Sequence, residues 1–285
     1  MIFTHYNTAK EFASEVTETL KKHEIQNNLL FHNINGGLER EDNSNMVMTT
    51  VKNDNGKILL TAVRTIPFPM VIYETDNIRN DEVVLFFAEL LLKNNIDVER
   101  IMTEKELANS FCKIYCSLSG KRYHNNESLV LYLLEKVNEL LLPNGNFRKA
   151  DESDMYYLPY WYADFIPACN LGDYDLAGGI RSAKQAINDE RGYVWVDGVP
   201  VSYAASTRWT SNCVFIGNVY TPPNFRGKGY STACVANLSK KLLDDGWKYC
   251  GLYADCANPY SNKVYQNVGY IEVFYYDQYK LYKEA

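Results

Sequence analysis

Residues 218–231, NVYTPPNFRGKGYS, set two prolines, two glycines and two cations between an apolar run and a long amphipathic stretch. Pro222 and Pro223 have no N–H to give a neighbouring strand, so they end a sheet ladder and keep the chain extended. From Arg226 onward the pattern becomes helical, and the first turn of a helix has N–H groups without internal acceptors and a partial positive charge. Gly227 and Gly229 carry no Cβ, so an anion can come close to the main chain. Arg226 and Lys228 add formal charge at the same place. Together these features describe a cradle for a phosphate or diphosphate at a helix N-terminus. The plainer reading of RGKG is a solvated basic turn. Two other phosphate motifs are excluded: GxxxxGK[ST] fails because Gly229 follows Lys228, and no GxGxxG opens a β-α-β unit.

The flanking segments give the cradle its setting. Cys213–Tyr220, CVFIGNVY, is apolar on both faces except at Asn218, which predicts an interior strand covered by helices. Lys228–Asp245 carries Tyr230, Cys234, Leu238 and Leu242 at intervals of four, with Gly246 as a stop signal. YCGLYADC (249–256) reads as a second two-sided strand, NPYSNKVYQNVG (258–269) as a short helix closed by Gly269, and YIEVFYYDQYKLY (270–282) as one or two final strands. Upstream, Asp197-Gly198 is a two-residue hairpin signal between YVWV and VPVSYAASTRW. The second half therefore reads as an antiparallel meander followed by β-α-β-α-β, an α/β class with a mixed, α+β type of sheet.

With these residues in view, the sequence resembles the GNAT superfamily of N-acetyltransferases. The family's [RQ]xxGx[GA] diphosphate loop is met by Arg226 and Gly229, with Ser231 departing from the last small position. A second family segment is matched by Asn258, Tyr265, Gly269 and Tyr270. The resemblance spans roughly residues 146–285, and its closest likeness is to predicted acetyltransferases whose loop begins VYTPP. It implies a GNAT fold and acetyl-coenzyme A as co-substrate. The implied coenzyme contacts are Val219, Tyr220, Thr221, Arg226, Gly227, Lys228, Gly229, Tyr230, Ser231, Asn258 and Ser261. The pantetheine arm would lie between Cys213–Tyr220 and Tyr249–Asp255. An N–H near Val219 would face the developing oxyanion, and Tyr265 would protonate the departing thiolate. The residues alone leave Tyr265 open to being a core tyrosine, and Asn258 and Ser261 to being a helix cap and a solvated helix face. CVFIGNVY has no carboxylate for the general base many relatives use; Asp255 and a water relayed from Tyr203 or Asn218 stand as alternatives.

The first half runs in a similar order. A helix is predicted over Thr8–Lys22 on Phe12, Val16 and Leu20, then strands Met46–Val51 and Ile58–Arg64 about the NDNG turn, a third strand in IPFPMVIYET, and a buried helix over Asp81–Leu92. Thr103 and Glu106 suggest a capping box for a helix over Glu104–Leu118, and ESLVLYLLEKVNELLL (127–142) suggests another helix. LPNGN (142–146) is the strongest punctuation, so the expected domains are 1–145 and 146–285. NFRKADESD then reads as a short strand leading into a helix near Asp151 or Ser153. NLGDYDLAGGIRSAKQAINDERG (170–192) reads as a substrate-side loop with a short helix. DNIRND stands where the second half has PNFRGKGYS, so the first domain is expected to be a degenerate GNAT-like unit, or another α+β domain, that does not bind coenzyme A.

Bulk chemistry narrows the function. The 285 residues, 46% hydrophobic and 22% charged, suit two globular domains, and a formal net charge of -6 argues against nucleic acid or acidic membrane as partner. Seven cysteines without CxxC pairs speak against a disulfide framework and a structural zinc site, and Cys112 and Cys116 read as buried thiols one helical turn apart. The N-terminus has no signal-peptide pattern, and Val83–Leu92 is too short to span a bilayer, so a cytoplasmic protein is expected. His5, His23, His32 and His124 all precede the cradle, leaving no histidine-based triad or metal site in the second half. The expected activity is acetyl transfer to a primary amine of a small molecule or peptide by a metal-free monomer or homodimer; a non-catalytic acyl-coenzyme A sensor or partner-binding module is the alternative. Aminoacyl transfer from tRNA fits poorly with the acidic balance.

Overall fold

The computed structural model describes residues 1–169 and 172–284. One succession of elements occurs twice. The first pass is β1 (Ile2–Tyr6), α1 (Ala9–Lys21), α2 (Asn28–Leu38), β2 (Met46–Lys52), β3 (Ile58–Thr65), β4 (Met70–Glu74), α3 (Asp81–Lys93), β5 (Arg100–Glu104), α4 (Lys105–Ser119) and β6 (Arg122–Leu134). The second is β7 (Asn146–Lys149), α5 (Leu158–Ala168), α6 (Leu176–Asn188), β8 (Gly192–Asp197), β9 (Val199–Trp209), β10 (Cys213–Tyr220), α7 (Tyr230–Asp244), β11 (Tyr249–Asp255), α8 (Pro259–Val268) and β12 (Ile271–Tyr282). Among the described residues no helix is long and apolar enough to cross a membrane.

Two compact units result. The first comprises residues 1–130 with 274–285, and the second comprises 131–273. The division thus departs from the expected break at 145/146. The Pro-Asn-Gly stretch is internal to the second unit, where the Trp195 indole N–H donates to the Asn144 carbonyl at 3.1 Å.

In the first unit the strand order is β1-β2-β3-β4-β5-β12. Tyr276 to Lys280 of β12 run antiparallel to Glu104 to Arg100 of β5, so the chain's last strand completes this sheet. Side chains alternate between two faces. Met48 and Val63 pack with Phe12, Val16 and Leu20 of α1 and Leu30 and Ile34 of α2. Val51, Leu60 and Ala62 point instead to α3 and α4, against Phe87, Leu91, Phe111 and Tyr115. Cys112 and Cys116 lie buried on α4, and burial pushes the Cys116 thiol up to about 11.

In the second unit the order is β6-β11-β10-β9-β8-β7, with β6 entering through its last residues, 131–134. Leu158 and Tyr162 of α5 and Ala183 and Ala186 of α6 pack on Val194, Tyr203 and Ala205. The β8–β9 hairpin turns at Asp197-Gly198 with Gly198 at φ 68°, as its sequence requires.

Several expectations are corrected. Residues 127–142 are not a helix: Val130 to Leu134 are five consecutive buried residues of a strand, and 135–145 contain no regular element. A continuous apolar run fits a strand buried on both faces as well as a helix, and here sheet packing decides. The glycine-containing stretch before β8 holds a full helix, α6, capped by Asp175; its residues 170–171 lie outside the described residues. Thr103 caps nothing; its hydroxyl donates to the Ile72 carbonyl at 2.5 Å, while the Glu104 carboxylate accepts the N–H groups of Glu106 and Leu107. The unpredicted α2 carries Gly36 and Gly37 in its last turn; a Cβ on Gly37 would lie 2.8 Å from that of Ala9.

Leu281, 2% exposed, belongs to the core of the first unit although it is four residues from the chain's end. Leu281→Ala is expected to lower stability by about 2–5 kcal/mol, as for other buried leucines. Denaturant unfolding followed by hydrogen exchange should show the loss of protection in β5 and α4.

Candidate functional site

The site begins where two parallel strands part. β10 and β11 pair at Cys213 with Tyr249, Val214 with Cys250 and Phe215 with Gly251, and no pairing between them continues beyond. Gly251 permits the last of these contacts, since a Cβ there would stand 2.6 Å from the Phe215 ring. On its other side β10 bulges: Gly217 pairs with Ala205 and Tyr220 with Tyr203, so Asn218 and Val219 together oppose Ala204. Asn218 takes φ 52° to do so. The bulge takes the Asn218–Val219 backbone out of the regular ladder.

The chain then leaves through Pro222 and a single 3-10 turn, Pro223–Phe225. Arg226 is still extended, Gly227 and Gly229 take φ 78° and 80°, and α7 starts at Tyr230, past the Lys228 at which the sequence pattern begins it. Those angles are left-handed, where a side chain is strained. Because neither glycine is crowded, with Pro143 no nearer than 3.7 Å to a Cβ built on Gly229, conformation rather than space selects glycine here. Gly229 is the N-cap and offers no side chain to the helix. The first backbone bond of α7 runs from Ala233 N–H to the Gly229 carbonyl at 3.0 Å. Among the described residues, the N–H groups of Tyr230, Ser231 and Thr232 therefore keep the unsatisfied state of a helix start.

The predicted residues fall into distinct groups. Arg226, Gly227, Lys228 and Gly229 are exposed around that helix start. Arg226 folds back, its Nε donating to the Thr221 carbonyl at 2.9 Å. Thr221 itself shares a hydrogen bond with the Ser202 hydroxyl at 2.8 Å. Tyr230 contributes its backbone only, because its side chain is buried with the hydroxyl donating to Asp197 Oδ2 at 2.5 Å. Asn258 caps α8, its Oδ1 accepting the N–H groups of Tyr260 and Ser261 at 3.2 and 3.1 Å. The Ser261 hydroxyl donates to the Asn258 carbonyl, so both residues serve the helix end. Asp255 Oδ1 likewise accepts the Ala257 N–H, a turn contact.

Tyr265 sits on α8 at 7% exposure, its ring edge-on to Tyr270 and 6.0 Å from that of Tyr132. No hydrogen bond holds its hydroxyl among the described residues. Burial raises its pKa well above that of an ordinary phenol, with Cys169 and Tyr132 adding to the effect. A phenol in that state keeps its proton at neutral pH and can give it only to a stronger base placed against it. The register of Tyr265 is fixed by Gly269, which ends α8 at φ 115°, a position where a Cβ would lie 3.0 Å from the Lys136 carbonyl.

Sequence reasoning missed the contribution of α5. Tyr220 donates to Asp164 Oδ2 at 3.3 Å, which brings a carboxylate to the end of a strand that has none of its own. Trp161, one turn earlier on α5, packs 6.2 Å from the Tyr220 ring. Tyr162 and Tyr203 share a 2.6 Å hydrogen bond in the core beneath, and burial pushes both phenols up. No motif links residues 161–164 to 220; only the packing of α5 across β10 joins them.

Residues 151–270 match the model of the acetyltransferase (GNAT) family. The chain therefore carries a domain of that family in its second half, and its full length has the fold of solved GNAT proteins. A GNAT-family acetyltransferase from Colwellia psychrerythraea superposes with a TM-score of 0.61 at 12% identity, over 99% of this chain and 100% of that one. A GCN5-related N-acetyltransferase from Sphaerobacter thermophilus gives 0.63 at 12% identity, over 99% and 96%. A tandem GNAT protein from the clavulanic acid biosynthesis pathway gives 0.55 at 10% identity, over 98% and 97%. No protein of curated function matches the sequence.

If left-handed backbone is what Gly229 supplies, Gly229→Ala lowers stability by about 1–2 kcal/mol. Gly229→Asn loses less, since Asn tolerates this conformation. Equilibrium denaturation of the two variants beside the wild type measures the difference.

Proposed function

We propose that the second unit transfers an acetyl group from acetyl-coenzyme A to a primary amine, which attacks the thioester directly. The observation that carries this reading is the uncapped start of α7 at the end of a strand that has parted from its parallel neighbour. Tyr230, Ser231 and Thr232 would offer their amides to the coenzyme's diphosphate, with Arg226 and Lys228 adding charge and Gly227 and Gly229 leaving the approach open. The backbone freed from Ile216 of β10 to Thr221 just beyond it would hydrogen-bond the amide-bearing arm as a sheet neighbour does. When bound, acetyl-coenzyme A supplies the activated acyl carbon.

This chain's own residues then have separate tasks. The Val219 N–H, beside the bulge, is the donor assigned to the carbonyl oxygen as charge develops there. Tyr265 keeps its proton on the phenol oxygen: a thiol's pKa of ~8.5 lies below that of a buried phenol, so the phenol O–H would stabilise the leaving thiolate by donating a hydrogen bond as the C–S bond breaks, and the thiolate takes its proton from solvent. Asp164, held by Tyr220, is the carboxylate assigned to orient the incoming ammonium, which loses a proton to water before the neutral amine's lone pair attacks the acyl carbon. Asn258 and Ser261 act by fixing α8, and through it Tyr265.

The absence of a carboxylate on β10 favours a second reading, a coenzyme-binding sensor without turnover. Thiol release from acetyl-coenzyme A, measured with a panel of primary amines, separates the two. An enzyme releases thiol with at least one amine, and Tyr265→Phe lowers its kcat by roughly 100-fold with coenzyme affinity unchanged, the usual scale for losing a donor to charge that develops in the transition state. A chain that binds coenzyme A with no amine-dependent thiol release is a sensor. Asp164→Asn is expected to raise KM for the amine more than it lowers kcat.

A further inference from the structure

The first unit repeats the parting of parallel strands but reverses its electrostatics. β4 and β5 pair at Met70 with Ile101 and Val71 with Met102, and not beyond. At their ends lies a cavity of about 320 Å³, within the size range of small-molecule sites, whose lining includes Gln26, Asn27, Glu74, Glu104, Glu106 and Arg79.

The helix that follows β4 cannot serve an anion as α7 can. The Asn80 side chain accepts the N–H groups of Glu82 and Val83, and Asp81 and Glu82 occupy the first turn. The connection TDNIRN contains no glycine. Glu74, 5% exposed, accepts the Asn80 N–H at 3.1 Å and pairs with Arg79 at 2.5 Å. Three carboxylates against one guanidinium leave the lining negative.

Two buried amides sharpen the picture. Gln26 and Asn27 are 7% and 1% exposed, and Gln26 Oε1 and Asn27 Oδ1 are buried acceptors without a hydrogen-bond partner. Their nitrogens are committed: Gln26 Nε2 donates to Asn77 Oδ1 at 2.7 Å and Asn27 Nδ2 to the Leu20 carbonyl at 3.2 Å. The amides are thereby oriented with their oxygens left over. Buried acceptors without partners are uncommon, and two beside a negative cavity call for a donor from outside the chain.

We infer that this cavity binds a small organic cation carrying a primary ammonium group. An ammonium has three donors and no acceptor, which suits two amide oxygens and a carboxylate wall. A diphosphate would meet carboxylates and a helix start already capped, so coenzyme A is not the occupant. The site is distinct from the coenzyme cleft of the second unit and does not rest on turnover there.

Isothermal titration of the full chain with butylammonium and with 1,4-diaminobutane in 0.15 M salt tests this. The expected result is one saturable equivalent that excess coenzyme A does not displace, weakened at least tenfold by Gln26→Leu and by Glu106→Lys. Glu106 is exposed and its carboxylate makes no hydrogen bond or ion pair among the described residues, so that variant carries the test even where Gln26→Leu does not fold. The inference is overturned by the absence of saturable binding, by binding that Glu106→Lys leaves unchanged, or by displacement with coenzyme A. Gly229→Val, which disrupts the loop before α7, should leave cation binding unchanged.

Discussion

Three backbone N–H groups at the start of α7, given no acceptor among the described residues, are the constraint around which the second unit is organised. A helix start is normally closed by a side chain at its N-cap. Thr8 closes α1, Asn80 closes α3 and Asn258 closes α8 in this way. At α7 that position is Gly229, and the positive φ angles of Gly227 and Gly229 bring in the chain with no side chain at either residue. The concentration of partial positive charge is then available to an outside anion. Parting of β10 from β11 after three residue pairs, and the bulge at Asn218–Val219, put unpaired strand backbone directly before it.

The two units show how one topology supports opposite electrostatics. Each of the two passes of the chain runs β-α-α-β-β-β-α-β-α-β, and each parts its fourth and fifth strands. The differences lie in the connection after the fourth strand. Glycines and an uncapped helix mark the second unit, while an asparagine cap and acidic first turn mark the first. The carboxylates of Glu74, Glu104 and Glu106 extend the same contrast to the cavity. The two clefts thus differ in the charge of the groups gathered at one connection, within the same order of elements.

Much of this was legible in the sequence because short-range chemistry decides it. The prolines ended β10, the four-residue spacing of Tyr230, Cys234, Leu238 and Leu242 defined α7, and Asp197-Gly198 fixed the hairpin. What escaped depends on long-range packing. Residues 130–134 are leucine-rich enough for a helix, and only sheet neighbours make them a strand. The last strand belongs to the first unit, which no local pattern around 274–285 signals. Asp164 reaches Tyr220 across 56 residues. Tyr230 has only its amide to offer a ligand, because its hydroxyl donates to Asp197, 33 residues away.

The central claim is that the amides of residues 230–232 are anion ligands. Hydrogen exchange of the full chain with and without saturating coenzyme A tests it most directly. The account predicts that slowed exchange concentrates in residues 227–232 and along 216–221, while 79–83 of the first unit are unchanged. Coenzyme A that binds yet leaves 227–232 exchanging at the free rate, or that protects 79–83 instead, contradicts it.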